Sequence, residues 1–156
     1  MGLAAMSASL PLADMALDYG LPLQPISPEL ASYEELVDEF DRVTPLLEPA
    51  LARNGGTHLP VDVLAAIAGA RMQLWTGSHT AAVTEIVEYP RIKTVNVFLA
   101  GGRLADCQAW GAPGGPLDQW AASVGAEAVT TEARLGWSRR LPNVEVLGVQ
   151  LFRRIP

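Results

Sequence analysis

From residue 29 onward the apolar positions recur first at helical spacing and then in alternation, and the change of period falls just after Gly69. Ser32-Tyr33-Glu34-Glu35 fits a capping box ahead of Leu36, Val37, Phe40 and Val43, which share one helical face. Pro45 and Pro49 break this pattern into short helical pieces that stop at Asn54-Gly55-Gly56. A second helix is predicted over 60–70, with Val61, Leu64, Ile67 and Ala68 inward and Asn54 or Thr57 supplying capping chemistry.

Alternation then predicts strands over 72–75, 81–89 and 92–100, joined as a meander. Val83, Ile86 and Val87 anchor the second. The run Val95-Asn96-Val97-Phe98-Leu99 in the third reads as a strand buried on both faces. Helices are predicted over 104–110 and 117–124, a strand over 127–132, a short helix over 135–141 and a final strand over 144–153. The order describes an α/β (α+β) domain spanning 29–156.

Residues 1–28 read differently. Pro11, Pro22, Pro25 and Pro28, with Gly20, interrupt any helix, yet Leu10, Met15, Leu17, Leu21, Leu23 and Ile26 keep the stretch apolar. It is predicted to be an extended arm that docks on a neighbouring subunit through Leu10, Leu17, Leu21, Leu23 and Ile26, by strand addition or by burial of these side chains.

Composition narrows the class. At 49% apolar and 18% charged residues, the chain is too apolar for disorder. Its longest weakly polar stretch, 61–70, is far shorter than the roughly 20 residues of a membrane-crossing helix. The first residues carry neither the basic nor the sustained apolar region of a secretion signal. Cys107 stands alone, which excludes an intrachain disulfide, implies synthesis in a reducing cytoplasm and suits a small buried hydrophobe. Residues 1–60 hold nine acids against Arg42 and Arg53, whereas 61–156 hold eight acids against nine bases. The acidic front half disfavours phosphate, and no nucleic-acid contact is assigned.

Candidate chemistry is sparse. His58 and His79 lack zinc spacing and a Cys or carboxylate cluster, so no metal site is assigned. Trp75, Trp110, Trp120 and Trp137 are too scattered for a base-stacking platform and suit core packing or interface anchoring. Arg134, Arg139 and Arg140 frame Trp137 as a candidate partner or anion site. The competing reading pairs these arginines with Glu132 or Glu145, lets Gly136 make a close turn and puts Trp137 in the core.

Four patches carry a resemblance: Gly56-Thr57-His58 with Asp62-Val63; Gln73-Leu74-Trp75; Val83-Thr84-Glu85-Ile86 running into Tyr89-Pro90; and Arg134-x-Gly136-Trp137-x-Arg139. With the element order, they resemble small GNAT-like (N-acetyltransferase-fold) proteins of tailed phages and prophages, of the minor or internal virion component type. The resemblance covers about residues 30–154. It implies a GNAT-like mixed sheet whose antiparallel meander is flanked by helices and whose first strand is missing.

An acyl-CoA site in that family has Gln or Arg, two residues, Gly, one residue, then Gly or Ala after the central strand. There, backbone N–H groups receive the diphosphate. This chain has Gly101-Gly102-Arg103-Leu104-Ala105-Asp106-Cys107, with no glycine at that offset and a carboxylate where the diphosphate belongs. The family's acid is a Tyr on the last short helix; here the tyrosines are Tyr19, Tyr33 and Tyr89. Glu85, Glu88 and Glu132 remain as candidate bases. The expectation is therefore a non-catalytic structural or interaction protein with no cofactor. As a virion component it would contact other virion proteins or copies of itself in an oligomeric assembly. The alternatives are an acetyl-CoA-dependent N-acyltransferase and a regulator acting through the acidic helix at 32–43.

Overall fold

The computed structural model describes residues 25–26 and 32–155. Of the arm, only Pro25 and Ile26 fall among them; Leu10, Leu17, Leu21 and Leu23 lie outside the described residues. Pro25–Ile26 (β1) add a two-residue edge to four longer strands, Pro25 opposite Trp75 and Ile26 opposite Leu74. No full-length strand precedes the first helix among the described residues.

That helix, α1, runs unbroken over Tyr33–Leu51, and not as the short pieces predicted from its prolines. Its capping box forms as read: Ser32 Oγ accepts from the Glu35 amide and the Glu35 carboxylate accepts from the Ser32 amide. Pro45 and Pro49 lie on the solvent face, opposite the buried stripe Leu36, Phe40, Val43, Leu47 and Leu51. The carbonyls they deprive of donors, on Asp41 and Pro45, belong to residues that water can serve, so the helix continues.

Helix α2 spans Pro60–Ala68 and buries Val63, Ala66 and Ile67; Val61, predicted to face inward, points to solvent. Neither Asn54 nor Thr57 caps it. The Asp62 carboxylate reaches back to the Leu59 amide instead (2.8 Å). Asn54 Oδ1 closes the preceding loop by accepting from the amides of Gly56 and Thr57.

Strands β2 (Met72–Thr76), β3 (Thr80–Glu88) and β4 (Lys93–Gly102) form the antiparallel meander the alternation predicts. After α3 (Leu104–Trp110) and α4 (Pro116–Ser123), β5 (Ala128–Thr131) pairs with β4 in parallel, which completes the order β1-β2-β3-β4-β5. One core, including Phe40, Val43, Ile67, Leu74, Val83 and Leu99, joins α1 and α2 to one sheet face. A second core on the other face joins Trp75, Ala82 and Val95 to Trp110, Leu117 and Ala121. Trp75 meets Trp110 and Trp120 edge to face, each at 5.3 Å, so three of the four tryptophans are packing residues.

Two expectations at the end of the chain fail. Leu135–Arg139 forms a 3-10 turn, shorter than the helix predicted over 135–141, and 144–153 is not a strand. That segment is apolar enough for a strand, but among the described residues no strand pairs with it.

Helix α1 approaches the sheet most closely where it crosses the end of β4. A Cβ on Gly101 would fall 1.8 Å from the Leu46 carbonyl oxygen, so only glycine fits. Arg42 ties the same helix to the β2–β3 turn by donating to the Gly77 carbonyl (2.9 Å) while its Nε donates to Glu39 (3.0 Å). Burial works to raise the Glu39 pKa, but hydrogen bonds from Arg42 and Thr76 and the Arg42 charge prevail and hold it below the ordinary 4.5. Hydrogen bonding to Glu39 raises that of Arg42 in turn.

Both contacts can be tested by substitution. Gly101→Ala should destabilise the fold by about 3 kcal/mol, read from urea unfolding, because backbone must move to admit the methyl group. The Glu39 contribution is present above about pH 4.5 and fades as pH falls through the lower folded value. A Glu39→Gln chain should therefore lose less stability than the natural one between about pH 5 and about pH 3.

Candidate functional site

The parallel pair β4 and β5 sets the candidate site. Pairing runs from Thr94 opposite Ala128 to Val97 opposite Thr131 and then stops, while β4 continues to Gly102. Thr131 Oγ1 donates to the Val97 carbonyl (3.0 Å) and closes the last rung. Beyond it β4 runs on without β5, and the carboxyl ends of parallel strands are where open α/β sheets receive ligands.

A bulge in β4 shapes the wall. Val83 faces Leu99 but Thr84 faces Val97, so Phe98 is the extra residue and shares the α1–α2 face with Leu99. The His58 ring packs against Phe98 at 4.8 Å, and its Nδ1 lies 2.8 Å from Thr57 Oγ1. This contact lays the loop between α1 and α2 on the bulge of β4.

A polar row crosses three strands on the same face. Asn96 Nδ2 donates to Glu85 (2.9 Å), and Thr130 Oγ1 donates to Asn96 Oδ1 (3.2 Å). Of the three candidate bases, Glu85 alone is placed in this way. Glu88 pairs with Lys93 at 3.2 Å, and Glu132 is exposed beyond the end of β5. Asn96 and Thr130 were not legible as site residues, because only the strand register brings them beside Glu85. No group of three metal-ligating side chains occurs among the described residues.

Backbone approaches closely at the end of β4, just before the turn where the resemblance locates a diphosphate. Gly101 receives the Leu46 carbonyl, and a Cβ on Gly102 (φ +105°) would fall 2.1 Å from the His79 carbonyl oxygen. That same carbonyl accepts from the Arg103 amide (2.9 Å), which removes one donor from the turn. In the first turn of α3, buried Asp106 accepts from the buried Thr80 hydroxyl (3.0 Å), with Arg103 Nε 4.0 Å away. Burial, with the Asp106 charge beside it, raises the Cys107 thiol and keeps it an unreactive hydrophobe. Gly101 and Gly102 thus serve close backbone approach.

The arginine cluster does not adopt the pairing weighed against it. Arg134, Arg139 and Arg140 have no carboxylate within ion-pair distance among the described residues. Gly136 has nothing close to it, and Trp137 is half-buried outside both cores. The turn is held to α3 by Gln108, which donates to the Arg140 carbonyl (3.2 Å).

No known protein family matches the sequence, and no curated protein does. Solved structures do match in shape. A point mutant of TTHA1254 from Thermus thermophilus is similar at a TM-score of 0.51 and 16% identity, over 85% of this chain and 95% of that one. An aminoglycoside acetyltransferase, meta-AAC0020 from an uncultured soil metagenomic sample, is similar at 0.51 and 11%, with the same coverage, in structures with trehalose and with sisomicin. The fold is GNAT-like.

Replacing Asp106 tests how the chain uses its own carboxylate. Asp106→Ala strands the Thr80 hydroxyl without an acceptor in the core and should cost about 1–3 kcal/mol in chemical denaturation.

Proposed function

We propose that this chain is a GNAT-like scaffold that serves protein interaction and not acyl transfer, as a structural component of an assembly. One observation carries the reading: Leu46, His79 and Asp106 occupy the turn after β4 that would have to receive the diphosphate of an acyl-CoA. The tyrosines support it, since Tyr19, Tyr33 and Tyr89 leave none after β5 to protonate a departing thiolate. The unpaired Arg134, Arg139 and Arg140 around Trp137 are the groups offered to a partner, with Ile26 and the arm leucines as the second contact.

The sequence patches that resemble those of tailed-phage proteins extend the proposal to a setting. The chain would be a minor virion component, made in the host cytoplasm and docked on other virion proteins or on copies of itself. A chain truncated to begin at Pro25 should fold yet fail to sediment with particles; undiminished incorporation would remove the arm from the proposal.

The competing reading, an acetyl-CoA-dependent N-acyltransferase, draws on Glu85, which its Asn96 and Thr130 neighbours hold in place near the end of the β4–β5 pairing. Calorimetry separates the two. The scaffold predicts no measurable heat with acetyl-CoA at about 1 mM, whereas binding near 1 μM, about −8 kcal/mol, would establish the enzyme reading.

A further inference from the structure

Residues 144–153 have the composition of a strand and none of its pairing. Val144, Val146, Leu147, Val149, Leu151 and Phe152 are all exposed, Leu147 at 84% and Leu151 at 90%. No backbone hydrogen bond ties residues 142–155 to the rest of the described chain. The segment touches its own domain near its end, where Phe152 lies over Gly55 and Arg154 donates to the Gly55 carbonyl (3.0 Å). That hold is light, since Phe152 is still 62% exposed.

The sheet is equally incomplete on the other side of β4. Among the described residues β5 pairs with β4 alone, so its outer backbone groups face no strand, and Val129 is 37% exposed. An open edge carrying exposed apolar side chains is a template for strand addition.

We infer that residues 144–153 of one copy add to the β5 edge of a second copy, antiparallel, with the exchange made reciprocally about a two-fold axis. Charge and pattern select the register. Placing Leu151 opposite Val129 sets Val149 opposite Thr131, Gln150 opposite Thr130 and Arg153 opposite Glu127. Residues 149–153 then oppose 127–131, Val149 and Leu151 share a face with Val129, Phe152 falls on the other face opposite Ala128, and the cation meets the carboxylate that precedes β5. Each chain lays its own segment on Gly55 and leaves its own edge open, so a second copy is the partner that satisfies both. Each copy contributes one strand and one edge, which makes the contact isologous and closes it at two chains. This pairing goes beyond the function proposed above and holds whether or not acyl-CoA binds.

Two measurements on the full-length chain decide it. A Thr131→Cys/Val149→Cys chain, oxidised mildly, should run as a disulfide-linked dimer, while buried Cys107 leaves the natural chain unlinked. A disulfide closed within one chain would overturn the inference by showing that the segment completes its own sheet. In sedimentation equilibrium, Glu127→Arg and Arg153→Glu should each weaken dimerisation roughly three-fold, and the double exchange should restore it. A chain that stays monomeric at about 0.1 mM, or a dimer indifferent to both reversals, would also overturn it.

Discussion

The backbone crossing of α1 over the end of β4 organises this protein. The Leu46 carbonyl sits where any side chain at position 101 would have to be, so helix and sheet meet closer than side-chain packing alone permits. From there α1 runs back along the sheet to the β2–β3 turn, where Arg42 bonds Gly77, and forward to the loop that lays His58 on Phe98. Its buried stripe fills the first core along that path. Strand β4 is the matching axis on the sheet side: it pairs antiparallel with β3, parallel with β5, and contributes to both cores.

That crossing also shapes the end of β4, next to where the family resemblance would put a phosphate cradle. A phosphate cradle needs free amides and glycines with open space above them. Here the space above Gly101 and Gly102 is taken by carbonyl oxygens, which repel phosphate, and a buried carboxylate is bonded into the adjacent helix turn. Glu85, Asn96 and Thr130 form a polar row across three strands, one rung before β5 ends.

Charge follows the same division. The acidic front half coincides with α1, whose solvent face carries Glu34, Glu35, Asp38 and Asp41, and the basic residues gather after β5. Among the described residues the arginines in and beside the 3-10 turn form no ion pair, and the largely apolar chain that follows makes no backbone hydrogen bond to the rest. The end of the chain therefore combines three arginines near a half-buried Trp137 in sequence with an exposed apolar segment that pairs with no described strand.

Periodicity alone located the three strands of the meander to within two residues, the helices after them, and the capping box at Ser32, because each depends on side chains close in sequence. The missing glycine after Arg103 was also legible, since that requirement is a local spacing. Other features needed the assembled fold. Prolines that stop a helix in isolation are carried by α1, because its buried face is anchored in the core and the deprived carbonyls reach water. Val61 faces solvent because the direction from which the sheet approaches α2 is a tertiary fact. The apolar composition of 144–153 suits a strand, but a strand exists only where an edge pairs with it, and among the described residues none does. Likewise, Glu85, Asn96 and Thr130 become neighbours only through strand register, and Gly101 becomes indispensable only when a helix from far away in sequence rests on it.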